Sequence, residues 1–332
     1  MSSPFFSIII PVFNVKDYLE KCVQSVTSQS FDNFEIIIID DGSSDGSEKI
    51  CDKLAQNDNR IKIIHKKNEG VAVARNTGIA KAVGEYILFL DSDDTFSPNL
   101  LENISNKISK TNADIIVFGY KRITENGKVL RVSYPKEDCT LEFMMSKIKD
   151  LPFLLWAKSY KKTLFNALDL NAIRGITFSE DSYLALALQK QAKSTEFISD
   201  TGYNYLCRKT SVTQNMSEKN HLDRIKAVKL IDSLYNNESE KPPILNEIKF
   251  NTKFFYIDPN CSYVKGKFFK NCKVWRKTFP ESNFYKSSEL KTIKMKVYVF
   301  FIRLHFDLIA YILYRISNID FIISLSQIFK DL

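Results

Sequence analysis

Residues 86–94 read Tyr86-Ile87-Leu88-Phe89-Leu90-Asp91-Ser92-Asp93-Asp94. Five apolar residues run without alternation, as in a strand buried on both faces, and stop at three carboxylates and a serine. Two earlier stretches share this form. Phe6 to Ile10 ends at Pro11-Val12-Phe13-Asn14, and Glu35 to Ile39 ends at Asp40-Asp41-Gly42-Ser43-Ser44-Asp45-Gly46. Ile61 to Ile64 and Ile115 to Phe118 read as further strands. Helical spacing separates them: Tyr18, Leu19, Cys22, Val23 and Val26, then Ile50, Cys51 and Leu54, then the alanine-rich Val71 to Ala82. Pro98 suits the first position of one more helix. This alternation predicts an α/β domain, a Rossmann-like, mostly parallel sheet flanked by helices. Ligands of such sheets bind beyond the carboxyl ends of the strands. Both acidic clusters fall at such ends.

Past Tyr120 the pattern changes. Asn126-Gly127 is a hairpin turn between segments that can pair. From about Leu141 the chain reads as largely helical, with one strand-like stretch at Thr195 to Ile198, and Lys241-Pro242-Pro243 reads as a linker. The expected organisation is a first domain over residues 1–215 and a mainly helical region over 216–332. Within the latter, Met295 to Phe329 is rich in Phe, Tyr, Ile and Leu. Its most apolar part, Val297 to Ile316, contains Arg303, His305, Asp307 and Arg315. Ions at bilayer depth are costly, about 2.5–3.5 kcal/mol each on insertion scales, so helices lying on an anionic membrane surface are preferred to a span. Lys291, Lys294, Lys296 and Arg303 would face the head groups. A buried helix of the second region is the alternative.

Composition excludes several classes. At 44% apolar and 26% charged residues the chain is ordinary globular protein. Three scattered histidines, His65, His221 and His305, argue against a histidine zinc site. Cys22, Cys51, Cys139, Cys207, Cys261 and Cys272 form no Cys-x-x-Cys pair, which suits buried thiols in a reducing cytoplasm. No secretion signal is expected from the N-terminus. The net charge of +8 favours an anionic partner, but the Lys and Arg residues form no groove motif and nucleic acid is not expected. Neither G-x-G-x-x-G nor a P-loop occurs, which excludes the dinucleotide oxidoreductase and P-loop readings. A nucleotidyltransferase would carry a glycine-rich basic loop where Pro11 to Asn14 stands.

The acidic clusters carry the chemistry. Asp91 and Asp93, at i and i+2 beyond a buried strand, can converge on Mg²⁺ or Mn²⁺, which prefer oxygen ligands and accept substrate phosphates as the remainder. The same residues also describe an acidic turn and helix cap. An ionised Asp40 can only accept hydrogen bonds, so it favours a base with an N3–H, uracil or thymine, unless it merely opens its turn. Phe13 can pack on a base and Asn14 can cap the following helix. Arg75, within an apolar helix, can pair with a diphosphate or with an acidic side chain of the site. Ser179-Glu180-Asp181-Ser182 opens an apolar helix; Asp181 is either part of a cap or the base that deprotonates an acceptor hydroxyl.

Together these segments resemble the family 2 glycosyltransferases of the GT-A fold. The matching residues are Ser7 to Asn14, Ile39 to Asp45, Asn68-Glu69-Gly70 with Ala74 to Gly78, and Asp91 to Asp94, in family order over the first third of the chain. The resemblance implies an inverting transferase using a UDP-sugar. Asp40 would read uracil, and Pro11, Val12, Phe13, Asn14, Asn68, Arg75 and Ser92 would surround the nucleotide-sugar. Asp91 and Asp93 would serve ribose and metal-diphosphate, with Asp93 the chief ligand of Mn²⁺ or Mg²⁺. Leu155 to Lys162 and Glu180-Asp181 are similar to members that build bacterial surface polysaccharides, in which the aspartate, here Asp181, is the base. Trp156, Lys158 and Glu180 would then lie near donor or acceptor. Cys207-Arg208-Lys209-Thr210-Ser211 resembles a segment that closes over the donor, bringing in Arg208. The expected acceptor is a glycan or lipid-linked hydroxyl, and the C-terminal helices point to a cytoplasmic protein on the inner face of the cell membrane. A non-catalytic nucleotide-sugar-binding subunit is the alternative.

Overall fold

A computed structural model describes residues 3–135, 153–208, 217–239, 241–242, 244–257, 267–283, 285 and 293–315. Cys139, Cys261, Pro243, Lys209-Thr210-Ser211, Lys291, the segment just after Leu141 and everything beyond Arg315 lie outside them. The chain divides into two units, Met1–Ile231 and Asp232–Leu332. The sequence reading sets this division at 215/216.

The first unit holds β1 (Phe6–Val12), α1 (Lys16–Thr27), β2 (Phe34–Asp40), α2 (Ser47–Asn57), β3 (Ile61–His65), α3 (Val71–Lys81), β4 (Tyr86–Phe89), β5 (Thr95–Phe96), α4 (Leu100–Thr111), β6 (Ile115–Val117), β7 (Tyr120–Ile123), β8 (Val129–Ser133), β9 (Lys158–Lys161), α5 (Glu180–Gln191), β10 (Thr195–Phe197), β11 (Tyr203–Leu206) and α6 (Glu218–Ser233). Seven strands form the main sheet in the order β10-β6-β9-β4-β1-β2-β3. β1, β2, β3 and β4 are parallel, as are β6 and β10, and β9 is antiparallel to both its neighbours. β1, β2 and β4 are buried along their whole length, as their unbroken apolar runs require. This is the expected mostly parallel sheet. A smaller sheet, β5-β11-β7-β8, includes the Asn126-Gly127 hairpin, with Gly127 at φ +80°.

Pro11 stands in the centre of the main sheet, where a missing N–H usually breaks a ladder. Ile9 bonds toward β4 through its carbonyl to Leu90 N, and Val12 bonds toward β2 through its carbonyl to Asp41 N. Strand alternation therefore turns Pro11 toward β4, whose pairing with β1 ends at Phe89. The proline costs no hydrogen bond because β4 has already left the sheet.

Four expectations are corrected. Residues after 153 contain β9 and β11 besides β10, so this part is less helical than its sequence reads. β9 escapes a hydrophobic reading because it buries Lys158 and Ser159. Pro98 precedes α4 rather than opening it; Asn99, in a left-handed conformation, is the flanking residue. Asn14 (φ 52°) and Ser179 (φ 66°) cap nothing with their side chains.

The second unit carries α7 (Ile244–Phe254), α8 (Phe268–Lys277), α9 (Ile293–Arg303) and α10 (Asp307–Arg315). Phe250 and Trp275 meet edge to face in its core, and Arg276 pairs with Asp307. Among the described residues, no helix is long and apolar enough to cross a membrane.

Candidate active site

β2 and β4 flank β1 in parallel, so Asp40 and the Asp91–Asp94 turn leave the same edge of the sheet. Two interstrand spacings, about 10 Å, separate the two strand ends. The site is built across this edge.

On the β2 side, Asp40 is 3% exposed. Its Oδ1 accepts from Ser43 N at 2.9 Å, and its Oδ2 lies 2.8 Å from His65 Nδ1. Burial pushes this carboxyl up, but the bonds from Ser43 and His65 outweigh it and hold Asp40 below the usual carboxylate range. Asp41 faces away, taking Lys66 Nζ and the amides of Glu69 and Gly70. Asn14 donates its amide to Ser43 Oγ and accepts from Ser44 N, which fixes the loop beside Asp40. That tie is its structural role in place of a helix cap. Gly42 (φ +77°) lies so close to the next loop that a Cβ would meet Asn68 N at 2.9 Å. The loop carrying exposed Asn68 is thereby seated against Asp41-Gly42. Phe13 is 48% exposed at the end of β1 and offers a ring face. Pro11 and Val12 are buried at the end of β1, next to exposed Phe13.

On the β4 side, Arg75 is the organising residue. α3 packs it into the interior, where its guanidinium donates to Asp91 Oδ1 at 2.8 Å and to Glu180 Oε1 at 2.5 Å. Of the two roles read for Arg75, pairing with an acidic side chain is the one observed. The bridge draws the start of α5 against the acidic turn and brings Asp181 beside Asp91. Burial, and the charge of Asp91 against that of Arg75, raise Asp181 above the ordinary aspartate range. Its Oδ1 accepts from Ser182 N at 2.8 Å. Glu180 is buried against Arg75 and has no surface for an acceptor, which corrects that expectation.

Asp94 belongs to the framework. Its carboxylate accepts from Tyr203 Oη and Leu206 N, both at 2.7 Å, and the same Tyr203 hydroxyl accepts from Asp91 N at 3.2 Å. Ser92 is buried between its neighbours. Asp93 remains, paired with Arg208 at 2.5 Å. Burial and then the neighbouring Asp91 charge raise its carboxyl, against the pull of Arg208. The Arg208 guanidinium also covers the Tyr18 ring, 4.8 Å from its centroid, and Tyr18 bonds Glu125 at 2.9 Å. A cavity of about 200 Å³ opens beside Asp93, walled by Asp17, Tyr18, Lys21, Thr95, Glu125 and Asn204 among others. It is smaller than a typical ligand pocket of about 300–1,000 Å³.

A divalent cation fits this donor set in one way. No group of three or more His, Cys, Asp or Glu side chains among the described residues can enclose a metal. Asp93 and the second oxygen of Asp91 supply at most two carboxylates, crowded enough for one to raise the other. Mg²⁺ and Mn²⁺ are commonly held by one or two carboxylates, with phosphates and water completing the sphere. The crowded pair therefore suits a cation arriving with a diphosphate.

Trp156 and Lys158 are buried behind the site, where the charge of Asp181 reaches the Lys158 amine. Trp156 stacks on Tyr203 at 4.2 Å, in the core. Lys158 is fully buried in β9, donates to Leu154 O at 2.7 Å, and burial lowers its amine to about 7. Conversely, His65, Tyr203 and Tyr18 are site residues that sequence pattern did not single out. His65 alone left a signal, a histidine closing a strand beside one that ends in aspartate.

Residues 7–173 match the protein family described as Glycosyl transferase family 2. The glycosyltransferase GlyG of Streptococcus pneumoniae serotype 4 is 31% identical over 223 residues, 63% of this chain and 73% of GlyG. GlyA of the same organism is 32% identical over 225 residues, 64% of this chain and 32% of GlyA. EpsH of Bacillus subtilis (strain 168) is 30% identical over 229 residues, 66% of this chain. The aligned region thus spans 65% of EpsH and about a third of GlyA. Among solved structures, S. aureus TarS 1-349 in complex with UDP-GlcNAc matches 92% of this chain and 89% of its own, with a TM-score of 0.66 and 20% identity. The same protein in complex with UDP gives 0.63. At that identity the likeness shows the fold, which is GT-A.

Proposed function

Because this chain belongs to glycosyl transferase family 2, we propose that it carries a hexose or N-acetylhexosamine from a UDP-sugar to a hydroxyl of a glycan or lipid-linked acceptor, with inversion. The observation that carries this reading is the Arg75 bridge, which sets Asp181 beside the acidic turn at the strand edge that also bears Asp40. Asp40, held ionised, accepts from uracil N3–H, with Phe13 against the ring. Asp181 takes the proton from the acceptor oxygen; its raised carboxyl is a stronger base than an ordinary aspartate. Asp93, with Asp91, holds Mn²⁺ or Mg²⁺; when bound, the cation stabilises the diphosphate leaving group. One base and no covalent nucleophile mean one displacement, hence inversion. The UDP-GlcNAc complex of TarS supports a UDP-sugar as donor. Turnover across a panel of nucleotide sugars, with and without Mn²⁺, tests the reading. A UDP-hexose or UDP-N-acetylhexosamine is expected to react only with the metal present; reaction with a GDP- or CMP-sugar alone would reject it.

In the same proposal the chain works as a peripheral protein on the inner face of the cell membrane, a reading supported by the exposed residues of α10. Leu308, Ile309 and Ile312 are exposed at i, i+1 and i+4 on α10, opposite buried Ala310 and Leu313, and Phe300, Leu304 and Phe306 are exposed close by in sequence. Exposed Lys296 supplies positive charge, and Asp307 is neutralised by Arg276. An apolar stripe on a chain of net charge +8 suits anionic lipid. Leu308→Glu with Ile312→Glu is expected to lower partitioning onto anionic vesicles more than tenfold, from about 1–2 kcal/mol of lost apolar burial per side chain. Unchanged flotation would remove the membrane from the account.

A further inference from the structure

We propose that His65, braced by Asp52, is a positioning residue for the donor: it clamps the Asp40 carboxylate, so that uptake of uridine diphosphate falls as His65 loses its proton. The inference rests on the reading of Asp40 as the uracil acceptor.

His65 ends β3 in register with Asp40 on β2. Its Nδ1 is 2.8 Å from Asp40 Oδ2, and its Nε2 is 3.0 Å from Asp52 Oδ1 on α2. An ionised carboxylate only accepts, so both ring nitrogens must donate. A neutral imidazole has one N–H, and only the imidazolium completes both bonds. Asp40 and Asp52 are the charges that face the ring from the adjoining elements. Cys51, on α2 near both carboxylates, stays a neutral thiol, pushed by burial to about 12. Lys66 turns to Asp41 and Glu69. The two hydrogen bonds raise His65 above its ordinary value.

The clamp does what uracil reading requires. It fixes one oxygen of Asp40 while Ser43 N fixes the other, and it places a positive charge against a buried carboxylate whose charged form desolvation disfavours. Once deprotonated, His65 can keep only one of its two bonds, and Asp40 loses its counter-charge. Asp52, whose side chain is 59% exposed, touches only the far side of the ring and tunes this loss without meeting the base.

Calorimetry of UDP with Mn²⁺ on the full chain, from about pH 6 to 9, tests the clamp. Wild type is expected to bind progressively more weakly above the raised His65 titration. Asp52→Asn should move that decline to lower pH, with a smaller loss of affinity at the acid end than His65→Gln shows. His65→Gln should bind about tenfold more weakly at the acid end and show no decline. In donor kinetics the His65→Gln change should fall on KM rather than kcat. UDP uptake with an unmoved decline in Asp52→Asn would overturn this inference alone. Absence of UDP uptake by wild type at every pH would overturn it together with the donor reading.

Discussion

Asp93→Ala is expected to lower kcat/KM with Mn²⁺ by about 10³-fold, roughly 4 kcal/mol of transition-state stabilisation, and to abolish the response to added metal. The size follows from what is left. Asp94 cannot substitute, because Tyr203 and Leu206 consume its carboxylate. Asp91 already gives one oxygen to Arg75. No third acidic or imidazole ligand is gathered there among the described residues. The fold should survive. Asp93 is raised, first by burial and then by Asp91, so its ionised form is disfavoured in the folded chain despite Arg208, and its removal relieves that desolvation and crowding. Its partner Arg208 keeps the Tyr18 ring. A melting temperature at or above wild type, with turnover lost, is the expected pair of results. Turnover within about tenfold of wild type would move the metal role to other residues.

Asp181→Asn should lower kcat by about 10³-fold, within the range for losing a general base, and leave UDP affinity unchanged. Asn keeps the shape and the acceptor for Ser182 N, and it leaves the Arg75–Glu180 bridge intact. The sign of the stability effect gives a second check. The folded-state titration of Asp181 lies above the unfolded one, so the group favours folding at low pH, and that contribution is lost as pH rises through the raised value. Asn cannot ionise, so the variant should be as stable as wild type or more stable at neutral pH. The wild-type rate should climb with pH through a range above that of a free aspartate, and the variant should lose the climb. A near-normal rate in the variant would mean that another group takes the proton.

Much of the framework can be read from runs that end in acid. Ile36 to Ile39 and Tyr86 to Leu90 are buried strands because nothing in them alternates, and the carboxylates that end them mark the ligand-facing edge. β9 could not be read this way, since Lys158 and Ser159 are polar residues sealed in a sheet. The local rule for helix caps misjudged Asn14 and Ser179, whose left-handed backbone sends their side chains elsewhere. The site is legible as a set of residue types but not as a constellation. Arg75 meets Asp91 after 16 residues and Glu180 after 105, and no periodicity encodes a contact across such separations. In the sequence His65 is one of three scattered histidines, and only its register opposite Asp40 brings the two side chains together. The framework follows from local burial patterns; the pairings within the site follow from tertiary packing.

The central claim is that the ends of β2 and β4 together hold a uridine diphosphate and its cation. Titration calorimetry of UDP and CDP, each with and without Mn²⁺, measures this most directly. The expected result is saturable UDP binding that depends on the metal and exceeds CDP binding at least tenfold, about 1.4 kcal/mol, because cytosine offers Asp40 an acceptor where uracil offers a donor. Equal binding of UDP and CDP, or no UDP binding with Mn²⁺ present, would contradict it.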